Sequence, residues 1–335
     1  MNFKLKTVIG AVCIAVIAGG AGAVSAVIKS HCNMKDNREK LEISSFADYN
    51  KGRDAVHFLS TGSSDAILIE SEGMFALIDC AEDSDNPRGF AELAYEGYED
   101  KVLDYLKENA ADENGVVNLD FILGTHSHSD HIGGFDTVIS DPSVKIGRAY
   151  LKKYDESQIN DYEVEKWDNK EVYEQMINAL EDKNIPIISD ISEKPFSLGN
   201  FTVTIFNTKD NNCKKVGEND NSLGVLIEKN GARIFLAGDI NNLNGDEEHL
   251  APLIGKVDLL KVGHHSYSGS TTSKWLKTLS PDVCVITNNY ESTDKRTLRR
   301  ITRISNSAIL ITGSENGVAA VIDDSGKISY YNNIH

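Results

Sequence analysis

The sequence predicts an α/β domain in which two sheets pack face to face and helices cover their outer sides. Three observations predict it. Short apolar runs come in two series, and each series is followed by helical stretches. Asn230-Gly231, between two such runs, is a strong signal for a tight hairpin, since both positions tolerate positive φ. Beyond residue 53 there is no long linker and no internal repeat, so the rest of the chain reads as one large domain.

The elements follow in order. Lys4 and Lys6 precede an uncharged, apolar stretch from Thr7 to Ile28 that ends at Lys29. Residues 1–31 therefore read as a secretory signal, with a small-residue cleavage region at 21–26, or as an N-terminal membrane anchor just long enough to span a bilayer. Residues 32–52 read as a linker and 53–335 as one globular domain. Val56–Leu59, Ala66–Ile69 and Phe75–Ile78 form a meander. A helical stretch from about Pro87 to Leu106 leads to a strand at Leu119–Leu123. Then come a strand near Ile146–Leu151, a helix near Val172–Leu180, and strands at Phe201–Phe206, Leu223–Glu228 and Arg233–Leu236. The last third alternates strand Val257–Val262, helix Ser273–Leu279, strand Val283–Thr287 and helix Lys295–Ile304, with short strands to the end.

Without residues 1–31 the chain carries 31 basic and 51 acidic residues, a net charge of -20. Such a surface repels polyphosphate backbones, so no nucleic-acid partner is expected, although a local basic groove is not excluded. The five cysteines show no CxxC spacing, which argues against a thiolate metal site or a disulfide framework.

The chemistry concentrates at Gly124–Gly134, GTHSHSDHIGG, where three of nine histidines and one aspartate fall in six positions behind the apolar run Phe121–Leu123. At a strand end, residues two apart share a side, so His126 and His128 can grip one ion. Asp130 and His131, displaced by a turn that Gly133-Gly134 helps to make, can face a second. Imidazole and carboxylate suit zinc, manganese or iron, and two such ions form a hydrolytic clamp. Two further apolar runs deliver polar groups at their tips: IFLAGD ends at Asp239, and LLKVGHH at His264 and His265.

HxHxDH at 126–131, Gly238-Asp239 and the pair His264-His265 together resemble the metallo-β-lactamase fold, in its subset with a His-His motif that is shared with competence proteins. YLKKY at 150–154, WDN at 167–169, NDNSL at 219–223 and PLIGKVDLLK at 252–261 are similar to the pneumococcal type of teichoic acid phosphorylcholine esterase. The resemblance implies a four-layered αββα sandwich with a site for two divalent metal ions, zinc above manganese or iron. It implies that His126 and His128 hold one metal, that Asp130 and His131 hold the other, that Asp239 bridges them and that His264 completes a shell. Asp130, Asp239 and His265 would then be the catalytic groups, with His265 nearest the phosphoryl group. Asp79, in LIDC, would orient a metal-binding histidine, and Cys80 after it would be a small buried residue with no redox task.

Two departures stand out. No histidine lies between His131 and His249, so water or a group from the Asn219–Ser222 turn would complete the first metal's shell. The choline-binding repeats of such esterases are absent, so the N-terminal segment would be the tether. The implied activity is an exported phosphodiesterase cleaving phosphocholine esters on teichoic acid or a related cell-surface polymer. The choline ammonium would be met by aromatic faces, with Tyr154, Trp167, Tyr267 and Tyr290 as candidates, and Asn221 would also contact substrate. Two other readings are a competence-protein-like nuclease or nucleotide phosphodiesterase, and a non-catalytic choline or teichoic acid binding protein.

Overall fold

The computed structural model describes residues 38–49, 52–209, 215 and 217–335. The signal or anchor segment 1–31 lies outside the described residues, as do Cys13, Cys32 and Cys213. Among the described residues no helix is long and apolar enough to cross a membrane.

The first sheet runs, in spatial order, β1 (Ile43–Ser45), β18 (Ile328–Asn332), β17 (Val318–Ile322), β2 (Ala55–Phe58), β3 (Ala66–Ser71), β4 (Met74–Cys80), β6 (Phe121–Leu123), β8 (Ala149–Tyr150) and β9 (Ile187–Ile188). The second runs β10 (Phe196–Leu198), β11 (Phe201–Phe206), β12 (Gly224–Lys229), β13 (Ala232–Leu236), β14 (Leu259–Lys261), β15 (Val283–Ile286) and β16 (Ala308–Ile311). β5 (Val117–Leu119) and β7 (Val144–Ile146) pair apart from both. The meander β2–β3–β4 is antiparallel as expected. The Asn230-Gly231 hairpin joins β12 to β13 with φ of 49° and 90°.

Period-2 alternation divides the side chains into layers. Val56, Phe58, Ile67 and Ile69 of the first sheet meet Val203, Val225, Ile227 and Ile234 of the second in a central core. Leu68, Leu77 and Ile122, facing the other way, are covered by α1 (Glu99–Asn109), α3 (Phe135–Ser140), which follows the short α2 (Ser129–Ile132), and α5 (Asn169–Asp182), which follows the short α4 (Asp161–Lys166). Leu226, Phe235 and Leu260 on the far side are covered by α6 (Asp246–Ile254), α7 (Ser273–Leu279) and α8 (Lys295–Ile304). The layers are helix, sheet, sheet, helix, the sandwich that the sequence implies.

Several boundaries differ from the sequence pattern, each for a local reason. The helix expected from Pro87 begins only at Glu99, because Gly89 takes φ +66° and the Asn86 amide donates to the Phe90 carbonyl. That side-chain turn competes with helix. The strand expected at Leu119–Leu123 divides at Asp120, which leaves the ladder to bond the backbone of Phe75. Ile146–Leu151 divides at Gly147, packed against the Asp120 carbonyl. α6, with Pro252 inside it, has no counterpart in the sequence pattern. The segment read as a linker, 32–52, supplies part of the domain: Ile43–Ser45 pairs in parallel with β18, and the rings of Phe46 and Tyr49 pack against buried His57.

Candidate metal centre

The strand ends of both sheets converge on one group of histidines and aspartates. β6 ends at Leu123, and Gly124–Ser127 leads into α2, whose N-cap is His128. Gly133 and Gly134 have negative φ, with ψ of -54° and -1°. They make the turn between α2 and α3 without positive φ. Their lack of Cβ serves proximity instead: a Cβ on Gly133 would lie 3.0 Å from Asp83 N, and one on Gly134 would overlap the Cys80 carbonyl.

Two overlapping clusters result, His126–His128–Asp239 and Asp130–His131–Asp239–His265. In the first, His126 Nε2 lies 3.0 Å from His128 Nδ1. In the second, His131 Nε2 lies 3.1 Å from His265 Nε2 and 3.2 Å from Asp239 Oδ1, while His265 Nε2 lies 3.4 Å from Asp130 Oδ2. Asp239 belongs to both, as a bridging carboxylate would.

The far ring nitrogens are anchored, which fixes the ring that faces the cluster. Asp79, at φ 57°, accepts from Thr125 N and Oγ1 and lies 2.7 Å from His131 Nδ1, the orienting position the sequence suggests. His126 Nδ1 meets the hydroxyls of Thr125 and Ser222. The turn that was expected to complete the first metal's shell thus supports His126 from behind. His128 Nε2 lies 3.3 Å from Glu163 Oε2. Burial alone would lower the His128 pKa, but the Glu163 carboxylate raises it. His265 Nδ1 sits 3.0 Å from the Thr287 carbonyl and 3.5 Å from Asp65 Oδ1. Asp65 pairs with the fully buried Lys261, whose Nζ donates to Gly238 O at 2.9 Å.

The paired histidines exchange the places the sequence reading gives them. His264 and His265 both have left-handed backbone, φ 49° and 46°, so their side chains diverge. His265, read as the catalyst, is fully buried with Nε2 in the second cluster. His264, read as a ligand, belongs to neither cluster; its Nε2 is 3.8 Å from Asp239 Oδ2 and 3.2 Å from the Asn219 amide, and it faces a cavity.

That cavity, of about 410 Å³, opens beside both clusters and takes its aromatic surface from Tyr95, Tyr98, Trp167 and Tyr267. Trp167 stands edge-on to His128, and Tyr267 OH lies 2.8 Å from Ser63 Oγ. Glu82, Glu96 and Asp168 add carboxyls, and among the described residues no Lys or Arg lines it. Burial, then the charge of Asp130, pushes Glu82 up to about 9. Tyr154 and Asn221 are elsewhere: they line a second cavity behind His126, with Lys152 and Lys153. Tyr290 lines neither cavity, and its ring lies 3.6 Å from the Lys295 ammonium. Cys80 is buried and free. The pattern does not reveal Glu163, Asp65, Tyr95 or Tyr98, which carry no spacing signal; Lys261, inside LLKVGHH, could have been found from its place beside the histidine pair.

An αββα sandwich with His and Asp clusters at its strand ends defines a metal-dependent hydrolase class. The Beta-lactamase superfamily domain matches residues 77–276, more than half of the chain, and the protein belongs to that superfamily. The chain is 26% identical over 201 residues to ComE operon protein 3 of Bacillus subtilis, covering 57% of this chain and 23% of that protein. It is 25% identical over 232 residues to Recombination protein 2 of Haemophilus influenzae, covering 69% of this chain and 24% of the other. The chain thus spans about a quarter of the length of these curated relatives. Among solved structures, the metallo-beta-lactamase fold protein YhfI from Bacillus subtilis aligns with a TM-score of 0.45 at 13% identity, covering 77% of this chain and 95% of that one.

Proposed function

We propose that this protein is a metal-dependent phosphodiesterase that hydrolyses phosphocholine esters on an anionic cell-surface polymer of the teichoic acid kind. The observation that carries the reading is the cavity lining: four aromatic rings and three carboxyls beside the His/Asp clusters, with no Lys or Arg among the described residues. A quaternary ammonium is drawn to such a wall, by about 0.5–2 kcal/mol per aromatic face. A line of nucleic-acid phosphates needs cations that the wall lacks.

The donor set fits two divalent ions, zinc, manganese or iron. Asp239 Oδ1 is buried without a hydrogen bond and lies 3.2 and 3.3 Å from two imidazole Nε2 atoms, an arrangement that a cation among them satisfies. His126, His128 and Asp239 would hold one ion, and Asp130, His131, Asp239 and His265 the other. When bound, the ions supply Lewis acidity and lower the pKa of water. The chain's residues do the rest. Asp79, Glu163 and Thr287 hold three of the imidazoles in register, Trp167 and Tyr267 shape the choline wall, and His264, facing the cavity, delivers a proton to the leaving alkoxide.

The likeness to ComE operon protein 3 and Recombination protein 2 favours a second reading, a metal-dependent nuclease. The two are separated by comparing p-nitrophenyl-phosphocholine with bis-p-nitrophenyl phosphate and with single- and double-stranded DNA, using metal-loaded protein. The choline ester is expected to show the higher kcat/KM, and chelation to abolish turnover. Trp167→Ala is expected to raise KM for the choline ester alone. Rapid DNA cleavage without preference for the choline ester would establish the nuclease instead. The proposal includes export, motivated by the uncharged segment 7–28, and a fractionation blot finding the chain in the cytoplasm would overturn that part.

A further inference from the structure

The chain is strongly acidic, yet four of its nine arginines fall within α8, at 296, 299, 300 and 303. The spacing i, i+3, i+4, i+7 places them on one helix face. The opposite face, Thr297, Leu298 and Ile301, is buried under the second sheet. The stripe is therefore held rigidly and extends about 10 Å along the helix axis.

Two of its four charges are committed. Arg296 pairs with Asp294, while Arg300 donates to the carbonyls of Ser270 and Thr271 and acts on the nearby carboxylates of Glu247 and Asp294. The side chains of Arg299 and Arg303 have no hydrogen-bond or ion-pair partner among the described residues. The grip of Arg300 also locates the stripe. Ser270 bonds the carbonyls of Gly263 and Tyr267, and Tyr267 with His264 walls the cavity. One loop thus joins the Arg face to the mouth of the site.

We propose that this face is a docking stripe for a polyol phosphate polymer, which it holds by its phosphodiesters while a choline-bearing branch enters the cavity. Guanidinium groups bind phosphate oxygens bidentately and keep their charge, which suits a repeating phosphate better than ammonium groups would. The stripe supplies the cations that the cavity lacks, so polymer affinity and choline recognition reside on separate surfaces. The proposal rests on the esterase reading for its choice of polymer.

The test uses the full metal-loaded chain and a synthetic, choline-free poly(glycerol phosphate) oligomer, with binding followed by fluorescence anisotropy over a salt series. Arg299→Gln with Arg303→Gln is expected to weaken binding about tenfold and to reduce the salt slope by about 1.4, on the scale of roughly 0.7 per lost phosphate contact on a single strand. Arg299→Glu with Arg303→Glu should weaken it further. Turnover of p-nitrophenyl-phosphocholine, which reads the cavity alone, should stay at the wild-type level in both pairs and so report intact folding. Unchanged polymer binding in both pairs would overturn the proposal. Stripe-dependent binding of single-stranded DNA, or of phosphatidylglycerol vesicles, with none of the glycerol phosphate oligomer would overturn it as well. Stripe-dependent oligomer binding by a protein that turns over no choline ester would sustain the stripe and remove the esterase reading.

Discussion

At the scale of single residues, the division of labour between His264 and His265 follows from two left-handed backbone positions. Such torsions are costly for residues with a Cβ and persist where the surroundings over-determine them. They point one imidazole into the second cluster and its neighbour into the cavity. Removing His265 should therefore cost metal, whereas removing His264 should cost rate. His265→Ala is expected to bind less than two metals per chain by elemental analysis. His264→Ala is expected to keep both and to lose kcat by about a hundredfold or more, the scale of a lost proton donor. Metal loss in His264→Ala with full loading of His265→Ala would reverse the assignment. The other members of the two clusters were legible in the sequence because HxHxDH packs four donors into six residues and Asp239 follows a strand. The His pair was not, because adjacent residues reveal nothing of where each side chain points until φ is known.

At the scale of elements, Gly133 and Gly134 join α2 to α3 with helical torsions, so a backbone argument alone would favour alanine there. Packing argues the opposite. A Cβ at 134 would overlap the Cys80 carbonyl at the end of β4 and lie 3.2 Å from Glu99 Cβ on α1. Gly134→Ala is expected to destabilise by about 1–3 kcal/mol, the usual cost of an added carbon in a filled site, measured by urea denaturation. A stabilised variant would mean that helix propensity outweighs contact. The same distinction explains which elements the sequence displayed. α7 and α8 match their expected limits because cap, apolar face and polar face agree locally. The breaks at Asp120 and Gly147 were hidden because their partners, Phe75 and Leu119, come from other strands.

At the scale of the whole molecule, the two sheets carry different halves of the centre. The first sheet supplies Asp79 and the His126–His131 segment; the second supplies Asp239 and His265. Asp65, at the head of β3, and Lys261, at the end of β14, form a buried ion pair across that division. Asp65 Oδ1 also accepts from Thr287 Oγ1 at 2.5 Å. The alternation of apolar residues foretold two packed sheets, but it could not reveal a charged tie between them, since Asp65, the partner of Lys261, carries no spacing signal. Breaking a buried pair from one side costs more than removing it, because the remaining charge stays desolvated. Lys261→Met should destabilise by about 3–5 kcal/mol. Adding Asp65→Asn should recover more than half of that loss rather than deepen it, since Asn keeps an acceptor for Thr287 and removes the uncompensated charge. Metal-free protein is the proper material, so that ligand geometry around His265 does not enter the comparison. Additive losses in the double variant would show that Lys261 and Asp65 stabilise the sheets independently, and a loss under about 1 kcal/mol in Lys261→Met would place the pair among those that contribute little.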